Sequence, residues 1–361
     1  MMCLVLRQET PGLLIPWYEN HKRPLPWRAD REPYHVWLSE IMCQQTRVEA
    51  VKSYYLRFLE QLPTISALAA CPEEKLNKLW EGLGYYSRAR NLKRAAQVIC
   101  EEHRGVFPSD YASIRALPGV GDYTAAAVAS ICFGLPCPVV DGNVLRVVSR
   151  LTASREDIRK DSTKVLVRQA LAPLFQDISS GTLNQALMEL GALVCLPNHA
   201  PDCDACPLKD LCPSAAGLWS RIPFKSEKKP RRNERHTVFL MRCGDTWALR
   251  KRPQKGLLAG LWEFPNLPGS LDAQKALDAV SVLGCQPSSV LLHTEKTCVF
   301  THVQWELPAW AIECRTPSKA FTWVPLAEIK SRYPLPTAFR QFLEDIENMK
   351  ENQDEESHPV E

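Results

Sequence analysis

The stretch Leu117–Asn143, LPGVGDYTAAAVASICFGLPCPVVDGN, decides how the chain is read. It opens with Leu117, Pro118, Gly119, Val120 and Gly121. Two glycines beside a proline predict a tight turn whose backbone N–H groups are left bare. The small apolar run Tyr123–Phe133 predicts a buried helix behind that turn. Bare amides at a helix start suit a phosphate oxygen. Pro136 and Pro138 end the helix and force an extended approach to Asp141, Gly142 and Asn143. A carboxylate on irregular backbone after a buried helix is a candidate catalytic group. Asp141 is equally well placed to N-cap the next helix, NVLRVVSRL, and the two roles are compatible. Taken alone, a GVG turn is more often an ordinary corner between helices.

The 361 residues suffice for two domains with separate cores. The formal net charge is +3, and the acidic end, Asp345–Glu361, leaves the remainder more basic. That balance fits DNA binding without demanding it. The apolar run Cys3–Leu6 is broken by Arg7, Gln8 and Glu9, so it is no secretory h-region. The longest apolar stretch, Ala125–Val140, is interrupted by Gly134 and two prolines and does not read as a membrane span. Fourteen cysteines without a secretory signal point to a reducing, cytoplasmic compartment, with clustered thiols used for metal.

Outward from the central stretch, a short helix is expected over Leu13–His21, followed by the stiff extended segment Pro24–Arg28. A long helical pattern covers His35–Phe58 and contains WLSEIMCQQT. Glu40 stands there among apolar neighbours, where desolvation raises a carboxyl pKa and keeps a proton for a general acid. The plain alternative is a helix-surface Glu paired with an Arg. Asn77–Ala96 contains GLGYYSRAR, a glycine-broken loop able to offer an apolar or aromatic wedge, Leu83 or Tyr85, to DNA. A glycine C-cap between core helices explains the same residues. Helix is expected again from Asn143 through Leu171.

Asn184–Gly191 leads into Cys195, Cys203, Cys206 and Cys212, with spacings of seven, two and five residues. Four close thiols suit an iron–sulfur cluster, and a structural zinc site is the alternative. Only one CxxC pair is present, against the two usual for zinc. Arg221–His236 is basic and Pro-containing and reads as a linker that can also run along phosphates. From Thr237 the period changes to two: HTVFLMRCG, DTWALRKRP and CVFTHVQWELPAWAIEC read as strands, with helices at Ala273–Leu283 and Pro336–Met349.

LPGVG, an apolar helix and VVDGN together resemble the helix–hairpin–helix DNA glycosylase superfamily. PWR at 26–28, SEIMCQQT at 39–46, GLGYYSRARNL at 82–92 and the four cysteines are similar to the MutY-type adenine DNA glycosylases. GLWEFP at 260–265 resembles a Nudix domain, but Asn266–Ala279 lacks the clustered glutamates of its hydrolytic box. The resemblance implies a mostly α helix–hairpin–helix glycosylase domain over 1–220 with an iron–sulfur loop at 195–212. It further implies a linker at 221–236, an α+β Nudix-like, non-hydrolytic domain at 237–344 that recognises 8-oxoguanine, and a disordered acidic tail at 345–361.

The implied reaction is removal of adenine mispaired with 8-oxoguanine or guanine in double-stranded DNA. It flips the base and hydrolyses the N-glycosidic bond. By resemblance Glu40 is the acid, Asp141 stabilises or transiently attacks the cationic sugar, and Tyr123 and Asn143 position them. Arg23, Trp27, Arg28 and Gln185 line the base pocket. Gln45, Leu83 and Tyr85 intrude near 8-oxoguanine, and Phe300, Thr301 and His302 form the turn that senses it. Leu117–Gly121 holds the backbone, and the four cysteines hold a 4Fe–4S cluster. Where many relatives carry Leu as a wedge, this chain has Cys43. The chain is expected to act as a monomer in the cytoplasm, at the nucleoid if bacterial. An endonuclease III-type pyrimidine glycosylase needs an amine where Tyr123 stands. A non-catalytic damage binder needs Glu40 or Asp141 to be lost. A nucleotide pyrophosphatase needs the missing glutamates.

Overall fold

The computed structural model describes residues 4–176, 178–215, 217–227 and 230–349. They fall into two compact units, Met1–Ala70 with Arg90–Lys228, and Cys71–Ala89 with Lys229–Glu361.

The first unit is helical. Its helices are α1 (Thr10–His21), α2 (Pro33–Cys43), α3 (Val48–Gln61) and α4 (Ile65–Ala70). Then α5 (Glu73–Leu79) belongs to the second unit, and the division falls inside α6 (Ser87–Glu102). The first unit continues with α7 (Tyr111–Ala116), α8 (Asp122–Phe133), α9 (Gly142–Leu151), α10 (Asp161–Leu171) and α11 (Ser180–Leu193). Among the described residues no helix is long and apolar enough to cross a membrane. Helix α8 is buried from Thr124 to Ile131 because its side chains are small. Neighbouring backbones therefore approach closely: a Cβ on Gly181 of α11 would lie 2.7 Å from the Ile131 Cα. Helix α2 buries Trp37, Leu38 and Met42 almost completely. Each such side chain contributes about 1.5–3 kcal/mol on leaving water.

Among the described residues the second unit is built on a sheet of seven strands, ordered β3-β2-β1-β6-β5, with β4 on β1 and β7 on β2. The strands are β1 (Arg232–Cys243), β2 (Thr246–Lys251), β3 (Trp262–Glu263), β4 (Asn266–Pro268), β5 (Pro287–Val299), β6 (Val303–Cys314) and β7 (Thr322–Pro325). The central pair β1 and β6 is parallel, with Phe239 beside Trp310, and β5 and β6 form an antiparallel hairpin. Helix α12 (Ala273–Val282) covers a core of Phe239, Met241, Val280 and Ile312. Helices α13 (Leu326–Arg332) and α14 (Thr337–Arg340) accompany a core of Trp247, Phe264, Leu307 and Phe339.

Several expectations need correction. The long helix over His35–Phe58 is two helices, broken where Gln45 turns to φ +57°. Pro26–Arg28 is a turn of 3₁₀-helix, closed by Arg28 N–H onto the Leu25 carbonyl, and not an extended stretch. The helix expected from Asn143 to Leu171 stops at Leu151 and restarts at Asp161. Cys71–Ala89 groups with the sheet unit. Little of 221–236 is a linker. Ile222 and Phe224 bond through their carbonyls to Arg150 and Ile158, and Arg232–His236 is already strand β1. The acidic tail expected from Asp345 is helical as far as Met349, because Ile346 is buried and Asp345 accepts from Lys296. The rest of that tail, 350–361, lies outside the described residues.

Candidate active site

In the helical unit the turn Leu117–Gly121 is anchored by its own apolar residues. Leu117 and Val120 are buried, and the Val120 N–H bonds the Leu117 carbonyl at 3.1 Å. Gly119 has φ +75°, and a Cβ there would lie 2.5 Å from that of Asn91, so only glycine fits. Pro118 is half-buried, and Gly121 is exposed as the N-cap of α8. The turn thus presents the N-terminus of α8 to solvent, with its positive dipole end. Asp122 beside it is neutralised by Arg115 at 2.6 Å and Arg168 at 3.5 Å.

One residue further on, Tyr123 points back into the unit. Its hydroxyl donates to Glu40 Oε2 at 2.6 Å and lies 3.7 Å from the Met188 sulfur. Glu40 keeps some residue surface, yet its carboxyl is deep among surrounding atoms. Burial pushes its pKa up to about 7, the Tyr123 hydroxyl opposes this, and the Asp141 charge adds to it. Tyr123 itself is raised well above 10, by burial first and then by the charge of Glu40, so it keeps its proton.

Asp141 caps α9, as one of its two expected roles required. Its Oδ1 accepts from the Val144 N–H at 2.7 Å and its Oδ2 from the Asn143 amide at 3.0 Å. Burial raises its pKa, while those donors and Arg146 favour the charged form. Asn143 is held in turn by Arg146 at 2.8 Å. It is also held by packing: a Cβ on Gly191 would lie 2.6 Å from its own. Arg146 continues to the carbonyls of Gly191 and Cys195, both at 2.7 Å.

A cavity of about 160 Å³ opens onto Glu40 and is lined by Tyr18, Trp27, Arg28, Gln185 and Met188 among others. Trp27 stands edge-on to Tyr55 at 5.3 Å. Arg23 and Arg28 both grip Glu189, which is 1 % exposed. Burial works to raise Glu189, but the hydrogen bonds from the two arginines outweigh it and hold its pKa at about 2. Glu189 and Tyr18 were not singled out in the sequence. The signal available was the spacing of Gln185 and Glu189, which puts them on one face of a helix, and two arginines needing a counter-charge.

The four cysteines Cys195, Cys203, Cys206 and Cys212 are free thiols lining one small cavity of about 30 Å³. Arg150 donates to the Cys195 sulfur at 3.1 Å, and to the carbonyls of Leu196 and Ile222. Burial raises the thiols of Cys203, Cys206 and Cys212, the second to about 11. Among the described residues no group of three or more His, Cys, Asp or Glu is drawn together in metal-holding geometry. The donor chemistry nonetheless fits a thiolate-ligated group: four cysteines line one cavity, and the Arg150 guanidinium donates to the first of them.

In the sheet unit the turn between β5 and β6 carries Phe300, Thr301 and His302. The Phe300 N–H bonds the Val303 carbonyl at 2.8 Å, and its ring packs edge-on against Trp305 at 4.9 Å. Thr301 and His302 are exposed. The Tyr85 hydroxyl meets Thr301 Oγ1 at 2.9 Å, which joins two expected site residues that lie 216 positions apart. Tyr85 has φ +47° and is exposed, whereas Leu83 is buried. The projecting side chain of that loop is therefore Tyr85. Gln45, in the helical unit, is exposed.

Residues 38–173 match the HhH-GPD superfamily of base excision DNA repair proteins, and residues 237–345 match the NUDIX domain. The human adenine DNA glycosylase is 36 % identical over 85 % of this chain and 67 % of its own length. That of Schizosaccharomyces pombe is 35 % identical over 74 % and 71 %. The chain belongs to the adenine DNA glycosylases of base excision repair. Among solved structures, a thermostable thymine-DNA glycosylase superposes with a TM-score of 0.52 at 26 % identity, covering 59 % of this chain and 95 % of its own. An adenine DNA glycosylase hydrolyses an N-glycosyl bond, so its centre must protonate a purine and tolerate positive charge on a sugar. The Glu40–Tyr123 pair joins α2 to α8, and Asp141 caps α9 in the same unit.

Proposed function

We propose that the chain excises adenine mispaired with 8-oxoguanine or guanine in duplex DNA, without cutting the strand itself. The observation that carries this reading is the Glu40 carboxyl, with a pKa of about 7, at the mouth of a purine-sized cavity, and hydrogen-bonded by Tyr123. Adenine is a poor leaving group until protonated. Glu40 gives its proton to N7 of the flipped base, and the bond from the sugar to N9 breaks. Asp141, anchored by the Val144 N–H and the Asn143 amide, stabilises the oxocarbenium-like sugar or bonds to it briefly. Water then completes hydrolysis and returns a proton to Glu40. Tyr123 carries no amine, so no Schiff base forms at this position.

Trp27, Arg28 and Gln185 form the walls for the base, with Arg23 bracing Arg28 through Glu189. The turn Leu117–Gly121 takes a backbone phosphate on its exposed amides. Tyr85, Thr301, Phe300 and His302 read the base opposite, Gln45 intrudes beside it, and Thr301 supplies the hydroxyl that distinguishes 8-oxoguanine. Cys195, Cys203, Cys206 and Cys212 would hold a 4Fe–4S cluster. When bound, it ties loop 195–212 together and can carry one electron. The protein works as a monomer where DNA is kept in the cytoplasm.

A nicking assay on duplexes with A opposite 8-oxoguanine or guanine tests this reading. Strand breaks should appear only after alkali, and borohydride should trap no adduct. Cleavage without alkali, or a trapped band lost on changing one lysine, contradicts it. Metal analysis giving zinc without iron removes the cluster.

A further inference from the structure

We infer that Tyr18 is a positioning residue that fixes the orientation of the Gln185 amide, and thereby makes the pocket select adenine over purines carrying a hydrogen on N1. The inference rests on the reading of the cavity as the base pocket. Tyr18, on α1, is 3 % exposed and lines that cavity together with Gln185 of α11. Its hydroxyl lies 2.8 Å from Gln185 Oε1. An amide has the same shape either way round, so packing cannot decide which end faces the cavity. The hydroxyl decides it. Among the described residues Gln185 is the hydrogen-bond partner of this buried hydroxyl. If the amide were flipped, its NH₂ would donate to the tyrosine oxygen and the buried O–H proton would be left without an acceptor. Burial also raises the Tyr18 pKa, so the proton stays in place.

The ring is not free to swing away from this bond. The Lys22 ammonium lies 5.6 Å from its centroid and the Arg28 guanidinium 5.5 Å, and Arg28 is itself locked by Glu189. With Oε1 held by Tyr18, what Gln185 has left to offer in the cavity is its NH₂. That group suits an acceptor nitrogen such as N1 of adenine. Hypoxanthine and guanine carry N1–H, and two donors would face each other in a desolvated site. A buried donor left unpaired in this way is disfavoured by roughly ten- to a hundred-fold.

The experiment compares single-turnover excision of adenine and of hypoxanthine opposite 8-oxoguanine, using the full chain, Tyr18→Phe and Gln185→Leu. Phe keeps the ring, its packing and its cation contacts. Affinity for the same duplexes made uncleavable by a 2′-fluoro sugar gives the ratio where cleavage is too slow to read. The parent should favour adenine, and in Tyr18→Phe the adenine-to-hypoxanthine ratio should shrink by roughly ten-fold or more, because the released amide can turn Oε1 towards N1–H. If Tyr18→Phe slows both substrates equally and leaves the ratio intact, Tyr18 is a packing residue and the inference is wrong. Gln185→Leu separates this from failure of the pocket reading. Unchanged rates and affinities in Gln185→Leu overturn the pocket itself. Loss of adenine preference there, with an unchanged ratio in Tyr18→Phe, leaves the pocket standing and removes Tyr18 from it.

Discussion

Each unit buries a glutamate at its centre, and the two have opposite surroundings. In the sheet unit Glu263 is 1 % exposed and fully engaged: Arg250 bonds it at 2.8 Å, Asn266 at 2.8 Å, and Arg252 grips the other side. In the helical unit Glu40 has a neutral hydroxyl for a partner and a negative neighbour, Asp141. Two arginines and an amide engage Glu263 and so join β2 to β3 and β4. Arg28, the cation that acts on Glu40, is itself bonded to Glu189 and lowers the Glu40 pKa less than burial raises it, so Glu40 can keep and give a proton near neutral pH. A buried carboxylate becomes a reagent when its partners stop short of neutralising it. Glu189 makes the same point within the helical unit, since two arginines hold it at about 2 and turn it into a brace.

The largest expected effects lie on the reactive side of this contrast. Asp141→Asn and Glu40→Gln should each lower single-turnover excision by at least roughly a hundred-fold while duplex affinity survives. Rates within a few-fold of the parent would remove that residue from the chemistry. The structural side should respond in the opposite way. Glu263→Gln leaves two arginines without their counter-charge and should cost about 3–5 kcal/mol of stability, read as a lower Tm. The folded fraction should still excise adenine at the parental rate. A normal Tm would mean that the Arg250–Glu263–Arg252 network is not what holds those strands. A smaller effect is expected at the sheet-unit turn. Thr301→Val removes the hydroxyl that Tyr85 meets, and should reduce the preference for 8-oxoguanine over guanine by roughly ten-fold, the weight of a single polar contact of about 1–3 kcal/mol. Equal weakening on both duplexes would make the turn a clamp without discrimination.

What could be read from the chain beforehand follows the range of the interactions. The hairpin, the buried α8 and the Asp141 cap depend on residues within a few positions of one another, and their placement matches the reading of Leu117–Asn143. The desolvation of Glu40 was also legible, because its neighbours along α2 are apolar. Its partner was named only through the resemblance, because Tyr123 lies 83 residues away. The same distance problem hid Tyr18 behind Gln185 and Glu189 behind two arginines. The transfer of Cys71–Ala89 to the sheet unit was illegible for a related reason. Local helical periodicity is identical whichever core a helix joins, and only contacts such as the Lys78 bond to the Tyr333 carbonyl reveal the choice. The break at Gln44–Arg47 was missed because its residues carry no glycine or proline to announce it.

The central claim is that Glu40 works as a proton donor tuned by burial and by Tyr123, and its pH profile tests that most directly. The carboxyl must be protonated to act, and its pKa is about 7. Single-turnover excision should therefore be level at lower pH and fall as pH rises through about 7. The Tyr123 hydroxyl stabilises the carboxylate and so lowers that pKa; in Tyr123→Phe the fall should move to higher pH, even if the maximal rate drops. A rate that climbs through neutrality, or a profile that Tyr123→Phe leaves in place, would contradict the account.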